Sequence, residues 1–242
     1  MARAAVTLSV VAFVAASFAS FAAVPRAHAT PSGPLVDRVA VLFDAPETGG
    51  AASPRAILER ELAFEARLEA LASGDPLGDE RGPYGARHVR SALDRHIATE
   101  LLASLPEEAG FGAKDPCDES GTDLERGVAL ARAVLLARVK GPDALRAAME
   151  EERVGDDDLL RLLRREAKAA RYLDRVVAPM LSPSDGELRM LLRTPGHPLA
   201  SKPFSTVRCA LRGALVSQRI GAALTSFLQT SRLRVRVRNV LP

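Results

Sequence analysis

Two kinds of apolar spacing divide this chain. Near its ends apolar residues recur at every second position, and between the ends they recur every three or four. In "LVDRVAVLFD" (35–44) Val39, Val41 and Phe43 alternate, and the run stops at Ala-Pro and a glycine pair. In "RLRVRVRNVL" (232–241) Leu233, Val235 and Val237 alternate with Arg232, Arg234, Arg236 and Arg238. Period-two spacing predicts two strands, the second with one buried and one wet face. The pattern offers no third strand, and backbone groups of a strand need partners. The two segments are therefore expected to pair with each other, antiparallel, and to tie the chain ends into one domain.

The interior predicts helices. Ser53-Pro54 has the form of an N-cap followed by proline at the first helical position, opening a helix to Gly74 with Ile57, Leu58, Leu62, Leu68 and Leu71 on its apolar side. Residues 86–106 carry Val89, Leu93, Ile97, Leu101 and Leu102 at helical spacing and stop at Pro106. The acidic, Gly/Pro-punctuated stretch 106–125 is a loop. It leads into a helix over 124–141 closed by Gly141, and Pro142 starts a shorter one to about Val154. Asp156, Asp157 and Asp158 complement the dipole of the next helix. There Leu159, Leu163, Ala167, Ala170, Leu173 and Val177 form one stripe, with Arg161, Arg164, Arg165, Lys168 and Arg175 mostly off it. Ser184-Asp185-Gly186-Glu187 is a capping box introducing Leu188–Leu192. Phe204 to about Ser231 then reads as one helix roughly 42 Å long. Its apolar residues, among them Val207, Ala210, Leu211, Ala214, Leu215, Ala222, Phe227 and Leu228, fall on more than one face. The fold class expected is mainly α with a small sheet pairing the N- and C-terminal strands.

The first residues change that picture by dropping out of it. Met1-Ala2-Arg3, an apolar run to about Val24, and Ala27-His28-Ala29 make the three-part layout of a secretory signal peptide over 1–29. The domain expected is thus 30–242, exported, with no stable membrane insertion after cleavage. Charge then says little. Removing 1–29 takes away Arg3 and Arg26 but no acid, leaving 31 basic against 30 acidic residues. A nucleic-acid binder needs a clustered basic excess, so no nucleic-acid partner is expected, and the arginines of 232–238 read as a solvated strand face. Few aromatics and no tryptophan leave Leu, Val and Ala to build the core.

The chain carries few motifs of recognisable chemistry. There is no G-x-S-x-G, no phosphate-cradling glycine loop and no H-E-x-x-H. His88 and His96, eight apart on one helix, are badly spaced for shared metal ligation, and His197 stands in a Pro/Gly junction. All three read as surface or half-buried histidines. Ser201-Lys202 is adjacent rather than S-x-x-K, and no carboxylate pair is singled out by an apolar setting. No catalytic residue, cofactor or metal site is expected, and the chain is not expected to be an enzyme. Cys117 and Cys209 form the one specific pair. In an exported chain they can join in a disulfide closing a 92-residue separation, worth about 4–5 kcal/mol in the chain-entropy treatment.

The order of elements resembles the SurA-type periplasmic chaperones. "VDRVAVLFD" is similar to that family's opening strand, and "ALDRHIATELLASLPEE" to its Leu-Asp-x-x-Ile-x-x-x-Leu-Leu helix. "LLRLLRREAKAARYLDRVVAPMLSPSDGELRMLL" is similar to its basic amphipathic helix and the capping box after it, and "LRVRVRNV" to its closing strand. In that family one or more parvulin-type prolyl isomerase domains lie between the capped helix and the long terminal helix. Here 194–203, ten residues, spans that place. The resemblance therefore implies a helical chaperone core without isomerase activity, a periplasmic holdase. Its implied partners are unfolded segments of exported or outer-membrane polypeptides, and the binding residues are not legible. The alternative is a non-catalytic interaction or assembly subunit with one dedicated partner. The departures from the family are the acidic 106–125 loop with Cys117 and the long "APETGGAASPR" after the first strand.

Overall fold

The computed structural model describes residues 37–74, 84–106, 117 and 123–240, with nothing described for the side chain of Arg232. The expected signal peptide 1–29 and nearly all of the 106–125 loop lie outside these residues. Two compact units divide the described chain. One holds 37–74, 84–105, 123–169 and 231–240, and the other Pro106, Cys117 and 170–230.

The first unit is built on a small sheet. Strand β1 (Val39–Asp44) turns Val41 and Phe43 into the core, as its alternation requires. Gly49 and Gly50 then take left-handed φ of 101° and 67°, and two short 3-10 turns reverse the chain. Arg55–Leu58 returns as a second strand, β2, antiparallel to β1. This corrects the reading of Ser53-Pro54 as a helix cap, and with it the expectation that no third strand exists. Proline's fixed φ suits an extended entry as well as a first helical turn. Ile57, with no exposed surface, is buried in the sheet core rather than on a helix face.

Helix α1 accordingly starts later, at Glu59, whose N–H bonds to the Arg38 carbonyl at 2.8 Å, and it ends at Ser73. The strand from the far end, β3 (Arg236–Asn239), lies on the other side of β1, also antiparallel, so the order is β2-β1-β3. The chain ends do pair as the alternation predicts. The buried face expected for the last strand does not form. Leu233 is 89% exposed and Val237 45%, and only Val235 packs against the sheet core. The last helix persists through Arg232, leaving Leu233 in the turn after it, and β3 is an edge strand.

Helix α1 is enclosed on two sides. Leu62, Ala66 and Ala70 join Val41, Phe43, Ile57 and Ala92 in one core, while Phe64 and Leu68 enter a second with Val128, Leu135, Val139, Leu159 and Leu163. The partners are α2 (Ala86–Ser104), α3 (Leu124–Arg138), α4 (Pro142–Glu151) and α5 (Asp156–Tyr172). Between α3 and α4 Gly141 adopts φ of 131°, which fits the expected glycine stop and proline start. In α5 Leu159, Leu163 and Ala167 are buried as the stripe predicts, joined by Leu162 and Ala169, whereas Ala170 is exposed. A π-turn over Leu173–Val177 then adds a residue to the winding and rotates the stripe off its period.

In the second unit, α6 (Asp185–Leu192) starts on the predicted capping box. The Ser184 hydroxyl accepts the Glu187 N–H at 3.2 Å, and the Glu187 carboxylate accepts the Ser184 N–H at 2.9 Å. Residues 194–203 form consecutive tight turns, in which the His197, Ala200 and Lys202 amides bond back to Thr194, His197 and Leu199. They lead straight into α7 (Phe204–Arg232). Leu188, Val207 and Leu211 form a small core, with Leu191, Leu192, Leu199, Phe204 and Leu215 packed on it. Along α7 the buried residues fall on two faces, Val207 and Leu211 on one and Ile220, Leu224 and Leu228 further round on another, as the spread of apolar positions predicts. Leu215 and Phe227 are half-buried, and Ala210, Ala214 and Ala222 are exposed. Cys117 and Cys209 are bonded, with Cα atoms 5.4 Å apart, as expected. The bond fits an oxidising compartment. Among the described residues no helix is long and apolar enough to cross a membrane.

Candidate functional site: a buried ion-pair seam

The one concentration of chemistry-bearing side chains among the described residues lies in the first unit. It is written along α1, where Glu61, Glu65 and Glu69 recur at four-residue steps and so share one face. That face meets Arg95 and His96 of α2 and Arg165 and Glu166 of α5. His96 Nδ1 lies 2.9 Å from Glu65 Oε1. The Arg165 guanidinium donates to Glu65 Oε1 at 2.5 Å and to Glu61 Oε1 at 3.0 Å. Its Nη1 is also 3.2 Å from His96 Nε2. A guanidinium only donates, so a hydrogen bond at that contact requires a lone pair on Nε2.

One helical turn along, Arg95 grips Glu166 through Nε at 3.1 Å and Nη2 at 3.0 Å, and reaches Glu69 at 3.3 Å. Arg138 of α3 approaches the same Glu69 oxygen at 3.6 Å. On a neighbouring face of α1, Arg67 bonds Glu152 at 2.8 Å, pairs with Glu151, and lies 6.0 Å from the centre of the Tyr84 ring.

Electrostatics follow from burial against pairing. Burial alone would push the Glu65 carboxyl up, but His96 and the Arg165 cation outweigh it and hold the group at about 2. Burial would likewise lower Arg165, and Glu65 and Glu61 outweigh it and raise it. Arg95 is raised for the same reason, burial losing to Glu166 and Glu69. Glu69 goes the other way. Burial, supported by the nearby Glu65 and Glu166, raises it despite Arg95.

What this arrangement can do chemically is limited by Arg165. Ligand atoms of Glu61, Glu65 and His96 lie within 4.8 Å of one another, the spacing of a metal site. The guanidinium, however, donates to all three, so the seat of a cation is taken by the chain's own. His96 with Glu65 has the form of an oriented base, yet its free nitrogen is bound to Arg165 rather than offered to a substrate. A cavity lined by Arg95, Leu135, Arg138, Leu162 and Glu166 among others is about 10 Å³, room for about one water. The seam registers three helices; it does not present a reacting group.

The histidines need correction. His88 and His96 are buried, not superficial, and only His197 is half-buried as expected. His88 Nδ1 accepts the Gly85 N–H at 3.1 Å, and His197 Nδ1 accepts the Leu199 N–H at 3.2 Å. No carboxylate pair in an apolar setting was expected; the single glutamate Glu65 is buried, but among the charged partners His96 and Arg165. Arg165, placed off the stripe by the sequence, points inward. A signal was available: three glutamates in step along a helix whose other residues are mostly apolar, matched by adjacent Arg-His and Arg-Glu pairs elsewhere. Ser201 and Lys202 are exposed in the turns before α7 and meet no other candidate.

Comparison of the chain with protein-family profiles, with characterised proteins and with solved structures found no match.

Proposed function

We propose that this chain is an exported, non-catalytic holdase that captures extended apolar segments of unfolded exported or outer-membrane polypeptides in the periplasm. The observation that carries the reading is the surface of the second unit. Its core is thin, and Met180 and Met190 stand 79% and 72% exposed on either side of the capping box. Flexible, polarisable methionines on an open helical surface suit binding of many apolar sequences, where a deep pocket would select one. The order of elements resembling SurA-type chaperones supports the same role. The tight turns over 194–203 leave the place of an isomerase domain to ten residues, so prolyl isomerisation is not part of the proposed activity.

The test is aggregation of a denatured outer-membrane protein with and without the chain, run beside a proline-isomerisation assay. Protection at a few-fold excess, little changed by salt and weakened by Met180→Ser with Met190→Ser, is expected. Acceleration of isomerisation, or no protection at several-fold excess, overturns the proposal. Co-purification of one stoichiometric partner without general protection would point to an assembly subunit instead.

A further inference from the structure

A second surface, in the other unit, has the makings of a different interaction. Strand β3 pairs with β1 on one side only, and among the described residues its other edge has no partner. The register settles which backbone groups point outward. Val240 donates its N–H to the Ala40 carbonyl at 2.9 Å, and β3 runs opposite β1 with Leu42 facing Arg238 and Asp44 facing Arg236. In an antiparallel ladder bonded and non-bonded pairs alternate. Residues 236, 238 and 240 therefore spend their N–H and C=O groups on β1, and Val237 and Asn239 turn theirs to the open edge. All four residues of β3 are exposed, and Val237 and Val240 leave apolar side chains beside that edge.

Charge narrows the occupant. Arg234 pairs with Glu47 at 2.7 Å and Arg238 approaches Asp44 at 4.0 Å, while among the described residues no ion pair engages Arg236. The strand is thus lined by more cations than its own acids neutralise. A second copy pairing edge to edge would set arginines against arginines, and like charges opposite each other across a ladder are unfavourable. An extended segment with acids at alternate positions would meet these arginines on one face and Val237 on the other, and would complete the four open backbone bonds.

We infer that the free edge of β3 binds an extended, acid-bearing polypeptide segment by strand addition, with Val237 and Asn239 supplying the main-chain bonds and Arg236 the charge recognition. This goes beyond the holdase reading and does not depend on it. It uses another unit, and its salt dependence is opposite, since it is electrostatic at an exposed edge.

The experiment uses the full chain and a fluorescent peptide of about eight residues alternating glutamate with threonine or valine, a length typical of strands. Val237→Pro removes one outward N–H and no bond to β1, because an edge strand tolerates proline where its N–H faces away. It should weaken binding roughly tenfold, the effect of one lost net backbone bond with a ring in the partner's path. Arg236→Gln, at an exposed position and with no acid set against Asp44 across the ladder, should weaken it similarly and remove the preference for a glutamate over a lysine peptide. Amide exchange should slow at Val237 and Asn239 only when the glutamate peptide is added, and about 0.5 M salt should abolish the slowing. Unchanged affinity in both variants overturns the inference. So does protection of these two amides before peptide is added, which would mean the edge is already occupied. Displacement of the peptide by an equimolar single-stranded oligonucleotide would also overturn it, by assigning the arginines to phosphate. Loss of aggregation protection with peptide binding intact would refute the holdase and leave this site standing.

Discussion

Replacing Arg165 by methionine removes the cation of the buried seam while keeping most of the side-chain volume. In the folded protein the Glu65 carboxyl is held at about 2, against an ordinary 4.5. At about 1.4 kcal/mol per pH unit that gap corresponds to roughly 3 kcal/mol of stability at neutral pH. His96 shares in it, but Arg165 also bonds Glu61, and breaking one side of a buried ion pair costs about 3–5 kcal/mol. Arg165→Met should therefore lower unfolding free energy by about 3 kcal/mol at pH 7.

The pH dependence is the sharper part. Because the folded group is depressed, its contribution is fully present above 4.5 and is lost as pH falls from there towards about 2. In the variant Glu65 keeps His96 but loses the guanidinium, so its carboxyl moves up from about 2 and its share of stability shrinks. The difference between wild type and variant should therefore narrow steadily as pH falls below 4.5. Urea unfolding followed by circular dichroism across that range measures it. Adding Glu65→Leu to the variant should recover much of the loss, since an apolar pair tolerates burial that a lone carboxylate does not. A loss below about 1 kcal/mol at pH 7, or one that is the same at every pH, would refute the reasoning.

Other outcomes follow from single features. Titration of the denatured, unreduced protein should find no free thiol, and Cys117→Ser with Cys209→Ser should lower stability by up to about 4–5 kcal/mol for a 92-residue separation; two free thiols would exclude the bond. Phe43→Ala, at a site with no exposed surface in the middle strand, should cost about 3–5 kcal/mol in the same unfolding measurement. Gly141→Ala should cost about 1–3 kcal/mol although nothing crowds the position, because φ of 131° is strained for any side chain; a neutral result would show that the turn relaxes.

The helices were legible in the sequence because each carries its own local evidence. The capping box at Ser184, the aspartates opening α5, and the Gly141-Pro142 stop and start all act within one turn of the chain, and all appear where the residues placed them. The pairing of β1 with β3 was legible too, since two isolated alternating runs need a partner. The tertiary structure decided the rest. Ser53-Pro54 is locally as good a helix start as a strand entry, and the open edge of β1 and the core space for Ile57 made it a strand. Val237 alternates as a buried residue would, but lies at a sheet edge, and periodicity does not carry that information. Glu65, His96 and Arg165 are scattered over 101 positions, each unremarkable among its neighbours. Only the packing of α1, α2 and α5 brings them within hydrogen-bonding distance, because burying any one of these groups is tolerable only in the presence of the others.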